Sequence, residues 1–150
     1  MTSPAPPGTA LSLWFDVQLE PALEATFTGC SGLAASREVV EWQEGGDNGT
    51  VIQLPGRLSY SNVVLTRVVD AQSGQIAAWF ATQQDAPNRQ PVTIRVFHGH
   101  GSAGSAVASW TLAEAWPVRY TGPTLATGHD GDAVAIETIE LSHQGFTSGQ

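Results

Sequence analysis

Cys30, the four histidines His98, His100, His129 and His143, and the carboxylates Glu137 and Glu140 are the side chains whose types and spacing could do chemistry in this chain. His98 and His100 are two residues apart, so on a strand they face one side and could share a metal, with His129 or Asp130 as a third ligand. The long gap to His129 and the intervening glycine turn weaken that pattern against the plainer one, solvated histidines of a turn. His143 stands alone. Glu137 and Glu140 suggest a glycosidase acid and nucleophile, but their odd spacing puts them on opposite faces of a regular strand, where they cannot flank one bond. Each is expected to pair with an arginine or to meet water.

The glycine cluster Phe97–Ala106 (FHGHGSAGSA) invites two further chemistries, and both fail on residue identity. A phosphate loop needs a lysine after its glycines, and the protein has none; a nucleophile elbow needs glycine two before its serine, and His100 holds that place before Ser102. A hairpin tip is the better account. Cys30 has no second cysteine with which to form a disulfide, and a small buried hydrophobe is its expected role. Trp14, Trp42, Trp79, Trp110 and Trp116 could stack on a sugar, yet they fall on separate elements, so core packing and subunit contacts are the default.

The elements that would position these residues are mostly strands. Leu11–Glu20 alternates strictly, with Leu11, Leu13, Phe15, Val17 and Leu19 on one face. Arg37–Gln43 and Val51–Leu54 flank Glu44–Thr50 (EGGDNGT), whose Asn48-Gly49 is a strong hairpin signal, and Pro55-Gly56 is expected to end the second arm. A tip this polar predicts a hairpin that projects from the body. Leu58–Val69 reads as one strand with an irregularity at Asn62. Ile76, Trp79, Phe80 and Gln83 follow helical spacing, with Asp70 or Ser73 as the cap. Gln90–His98, Ala106–Glu114, Trp116–Tyr120 and Ala133–Leu141 return to strand patterns. One short helix among seven or eight strands predicts a mainly β sandwich or barrel with the helix over an opening or edge.

Of the 150 residues only 13% are charged, the six cations are all arginine, and the net charge is −8. An ordinary soluble domain is about 25% charged. Six scattered cations make no basic stripe for phosphates or anionic lipids, so neither sequence-specific nucleic-acid binding nor membrane anchoring is expected. Residues 1–10 lack the cation and apolar run of a signal peptide and read as a flexible tail, 11–146 as one domain and 147–150 as a C-terminal tail; synthesis and folding in the cytoplasm follow as an expectation.

Several segments in order resemble one family: Phe27–Leu33 (FTGCSGL), Glu44–Asn48 (EGGDN), Leu54-Pro55-Gly56, Asn62–Arg67 (NVVLTR), the helix with Trp79, then Trp110, Ala115–Pro123 (AWPVRYTGP) and Ala135–Phe146 (AIETIELSHQGF). The chain resembles the inner tube proteins of contractile injection systems and contractile phage tails, whose wider fold relative is the hemolysin-coregulated protein of type VI secretion. The most specific segments are those built on Trp116-Pro117 and on Glu137 with His143 and Gly145. Arg67 precedes Val68 where the family commonly has a basic residue followed by glycine, and Gln144 replaces an acidic residue before Gly145.

The resemblance implies a β-barrel-like domain with one helix that forms hexameric rings stacked into a hollow tube. A contractile sheath, baseplate and spike proteins, a terminator cap and effector cargo in the lumen are the implied partners, in a particle that is released or retained; no cofactor, metal or catalytic residue is implied. The hairpin with Trp42, Glu44, Gly45, Gly46, Asp47, Asn48, Val51, Ile52 and Leu54 is implied to reach a neighbouring ring. Pro55, Gly56, Arg67, Trp116, Pro117, Tyr120, Glu137, Glu140, His143 and Gly145 are the motif positions. Two other readings stay open: a tube-initiating baseplate paralogue, and a carbohydrate-binding β domain. Carboxylates facing a lumen would repel polyanionic cargo, an expectation drawn from the charge balance.

Overall fold

Alternation of apolar and polar residues sets most of the architecture, because every second side chain of a strand meets the core. The computed structural model describes residues 13–20, 23–46, 49–98, 106–124 and 134–149. Among them are ten strands, β1 (Leu13–Glu20), β2 (Leu23–Phe27), β3 (Gly29–Ser31), β4 (Ala35–Gln43), β5 (Val51–Tyr60), β6 (Val63–Val68), β7 (Gln90–His98), β8 (Ala108–Thr121), β9 (Ile136–Ser142) and β10 (Phe146–Gly149), and the helix α1 (Ser73–Thr82). The fold is mainly β with one short helix, as the patterning predicts.

Eight strands form the body, in the order β2-β1-β7-β8-β9-β6-β3 with β10 on β8. All pairings are antiparallel. The ladder is not closed, yet its two end strands are consecutive in sequence, and Thr28 between them donates its N–H to the Thr66 carbonyl at 2.9 Å. The sheet therefore wraps around one core. Val17, Leu19, Phe27, Val63, Leu65, Ile94, Leu112, Ile139 and Leu141 fill it, and α1 adds Ile76 and Trp79.

Several boundaries differ from those the sequence suggests. β5 does not stop at Pro55-Gly56 but runs on to Tyr60, so Leu58–Tyr60 belongs to it and the break falls at Ser61-Asn62. The ribbon β4–β5 is a separate two-stranded sheet, where a missing N–H is tolerated at an edge, and Pro55 sits opposite Val39 beside a bulge between Arg37 and Val39. Gly56 lets the bulged backbone come close: a Cβ there would lie 3.0 Å from the Glu38 carbonyl oxygen. β8 is one strand of 14 residues rather than two, with Glu114 in the left-handed region at φ 48° where the strand changes partners from β7 and β10 to β9. β2, β3 and β10 carry too little apolar signal to stand out, and residues 147–149 lie in β10 rather than in a tail. Neither Asp70 nor Ser73 caps α1. The N-cap is Gln72, whose N–H is accepted by Asp70 Oδ1 at 2.8 Å.

Candidate functional site

The β6 alternation that buries Val63 and Leu65 also buries Arg67, and the β9 alternation that buries Ile139 and Leu141 buries Glu137. These two charges lie directly opposite in the ladder, with Arg67 Nε 3.4 Å from Glu137 Oε1. Arg67 Nη2 reaches Asp70 Oδ1 at 2.5 Å, and its guanidinium lies over the Phe27 ring. Ser73 Oγ donates to Glu137 Oε1 at 2.9 Å, and the Tyr120 hydroxyl donates to Oε2 at 2.8 Å. Burial and that hydrogen bond hold the Tyr120 phenol above its ordinary pKa. Both oxygens of Glu137 are thus engaged inside the protein, an arrangement that joins β6, β8, β9 and α1 and presents no acid or base to a substrate. Glu140 points to the other face, 3.9 Å from Arg119 Nε, and accepts a hydrogen bond from Asn62 at 2.9 Å. The two glutamates do not flank a common site.

The remaining chemical candidates stay apart as well. Cys30 is half-buried on β3, and burial pushes its thiol up to about 11, away from nucleophilic use. His100, His129 and Asp130 lie outside the described residues, and among the described residues no group of three or more His, Cys, Asp or Glu side chains could hold a metal. Trp14 stacks on Phe97 at 4.4 Å, Trp79 is buried in α1, Trp110 and Trp116 are half-buried on β8, and Trp42 stands exposed on β4.

The hairpin is built differently from the body. Every residue of β4 is exposed, and so is all of β5 except Gly56 and Tyr60. Val40 opposite Leu54 and Trp42 opposite Ile52 share one face; Val39 opposite Pro55 and Gln43 opposite Val51 share the other. Val39 is 60% and Trp42 58% accessible. Glu44, Gly45 and Gly46 lead into the tip, Gly46 at φ 116°, while Asp47 and Asn48 lie outside the described residues. A lone two-stranded ribbon is marginally stable in water, and contiguous exposed apolar surface marks an interaction site.

His143 and Gly145 fasten this ribbon at its root. The Gly145 N–H donates to His143 Nδ1 at 3.1 Å, which leaves the proton on Nε2 to be donated to the Ser61 carbonyl at 2.9 Å. Tyr60, the last residue of β5, packs its ring 5.6 Å from His143 and 5.7 Å from Phe146. Gly145 has φ 134°, and a Cβ there would strike the Tyr60 ring at 3.2 Å. Trp116 and Pro117 hold the neighbouring β8 register against Ser142 and Leu141, next to a shift between Pro117 and Arg119. Of the motif positions, Arg67, Glu137 and Tyr120 form one cluster and His143 and Gly145 a joint at the base of the hairpin, while Pro55 and Gly56 lie within the ribbon and Glu140 on the opposite face. Parity alone would have found the first: Arg67 shares the face of Val63 and Leu65, and Glu137 that of Ile139 and Leu141.

Comparison with known proteins agrees with this geometry. No curated protein matches the chain. Among solved structures it is similar to a chain of the sheath-tube complex of the extracellular contractile injection system PVC in its extended state, at 20% identity and TM-score 0.74 over 90% of this chain and 87% of that one. It is also similar to a chain in the baseplate of the anti-feeding prophage, at 24% identity and TM-score 0.72 over 99% and 97%. An Hcp protein shares the fold at 11% identity, TM-score 0.59 and coverage of 91% and 96%. The family model for the T4-like virus tail tube protein gp19 matches residues 11–147, nearly the whole chain, and the protein belongs to that tail tube family.

Proposed function

We propose that this chain is a structural, non-catalytic subunit of the inner tube of a contractile injection system or contractile phage tail, in which copies form hexameric rings that stack into a hollow tube. The observation that carries the reading is the β4–β5 ribbon, exposed along both strands and apolar over the face of Val40, Trp42, Ile52 and Leu54, in a protein of a tail tube family. A chain that assembles head to tail needs one surface to offer and another to receive it. The ribbon is the surface offered, reaching a neighbouring ring. Val68 and Ile136, paired across β6 and β9 and both exposed, give the body a further apolar spot for lateral contact. Sheath, baseplate, spike and terminator proteins are the partners such a tube has, and effector cargo fills its lumen. Assembly takes place in the bacterial cytoplasm. Part of the acidic excess faces the lumen and keeps polyanionic cargo from adhering.

A tube-initiating ring subunit is the second reading, favoured by the likeness to a chain of a prophage baseplate. Negative-stain microscopy of the purified protein, with size-exclusion chromatography beside it, separates the two. A tube subunit gives rings that stack into tubes of uniform diameter, whereas an initiator stops at one ring. Deletion of residues 45–49 is expected to leave rings and abolish tubes. A strictly monomeric protein at high concentration would overturn both readings.

A further inference from the structure

A groove of about 530 Å³ opens beside the root of the hairpin, where Glu114 turns β8 from one set of partners to another. Tyr60, Pro91, Ala113 and Phe146 give it an apolar lining, and Arg89 and Glu114 stand on its walls. Pro91 and Ala113 are exposed, Tyr60 and Phe146 half-buried. Its form is fixed by the body rather than by a loose loop: the Ala113 N–H donates to the Gly145 carbonyl, and the Gln144 N–H to the Ala113 carbonyl, both at 2.8 Å. The volume lies in the range of sites that enclose a small ligand, enough for an indole with an aliphatic neighbour.

We propose that this groove receives the apolar face of the β4–β5 ribbon of a second copy of the chain, with Trp42 as the anchor. The inference rests on the self-assembly reading above and names the receiving surface. Its own ribbon cannot supply the occupant. Ile52, the partner of Trp42, is eight residues from Tyr60 along β5, and Tyr60 lies at the groove; at ~3.4 Å per residue that is about 27 Å. Chemistry matches on both sides. The face with Val40, Trp42, Ile52 and Leu54 needs an apolar receptor, and the groove exposes Pro91 and Ala113 in its lining. Between Val39 and Leu54 the chain has Glu41, Glu44 and Asp47 and no cation; of the two charged side chains at the groove, Arg89 complements that segment and Glu114 opposes it, so apolar contact carries the docking and Arg89 sets the side on which the acidic residues lie. Because Tyr60 is both the root of one ribbon and the wall of the groove, each docked ribbon lies against the base of the next. One contact, repeated, propagates from subunit to subunit without closing on itself between two copies.

The test places the photoreactive residue p-benzoyl-phenylalanine at position 42 and irradiates the assembled protein, with isotopically heavy and light copies mixed so that adducts between copies are recognised by mass. Adducts within residues 89–91, 111–114 or 144–147 of another copy are the expected result. Adducts confined to other segments would overturn the groove while leaving self-assembly intact. In parallel, Ala113→Arg fills the groove from an exposed position and is expected to lower the yield of assembled particles about tenfold or more, with the circular dichroism of the monomer unchanged. Unchanged assembly overturns the proposal. Where Ala113→Arg does not fold, Thr147→Arg, another exposed residue of the lining, is judged by the same yield. A wild-type protein that never assembles refutes the tube reading itself, an outcome distinct from assembly with adducts elsewhere.

Discussion

The body and the hairpin handle their apolar residues in opposite ways. In the body, Leu19, Phe27, Leu65, Ile139 and Leu141 are fully enclosed, and even a buried ion pair, Arg67–Glu137, is surrounded by hydrogen-bonding neighbours. In the ribbon, Val39, Val40, Trp42, Ile52 and Leu54 are left to solvent, and between the two lies a joint of Tyr60, His143, Gly145 and Phe146. The body encloses its apolar side chains and pairs its buried carboxylate, although Arg67 Nε and Nη1 are buried without a hydrogen-bond acceptor among the described residues; the ribbon leaves its apolar side chains exposed.

The contrast can be broken most forcefully from the body side. Glu137→Ala leaves Arg67 buried with Asp70 as its remaining carboxylate, and loss of one partner of a buried pair costs about 3–5 kcal/mol, read as a lower urea midpoint. A loss under about 1 kcal/mol would show that the pair is not what holds β6 to β9. A smaller effect comes from Asp16, whose carboxyl is pushed from 3.8 up to about 7 by burial, then by the hydrogen bond and charge of Glu24, against the opposing pull of Arg95. Arg95 bridges both, 3.3 Å from Asp16 and in direct contact with Glu24. A raised folded pKa means that the folded state holds the proton more tightly. Its contribution is complete below 3.8 and is lost as pH rises through about 7, so melting temperature should fall across that window and Asp16→Asn should flatten the slope. The smallest effect belongs to the ribbon. Val40→Ser combined with Leu54→Ser should change the stability of the isolated monomer by no more than about 0.5 kcal/mol while assembly is lost. A large loss of monomer stability would show that the ribbon packs on its own body.

Much of this division is legible in the sequence because both regions obey simple periodicity. Ile76 and Trp79 at helical spacing reach the core as expected, and Asn48-Gly49 between two apolar arms marks the hairpin. What local pattern hides is continuity and partnership. Pro55-Gly56 reads as a stop, but a two-stranded ribbon has free edges on which proline costs no ladder bond, so β5 continues. Glu114 interrupts the alternation of β8 without ending it, because a single left-handed residue re-aims a strand that stays paired. β10, only Phe146–Gly149, owes its existence to the β8 edge beside it rather than to its own residues. The joint at His143 shows in the sequence only as a motif; its hydrogen bond to Gly145 is local, but its bond to Ser61 spans eighty-two residues.

The order in which pairings close along the chain has a kinetic meaning. The ribbon joins β4 to β5 across a short turn, whereas β1 must find β7, with Asp16 opposite Arg95, across most of the molecule. Local ladders form on a timescale of about 1–10 µs, while distant pairing slows folding by orders of magnitude. The sticky surface is thus available early and the finished body late. Refolding at high protein concentration should trap chains that have joined through ribbons before their cores close, and dilution should restore the yield of competent subunits.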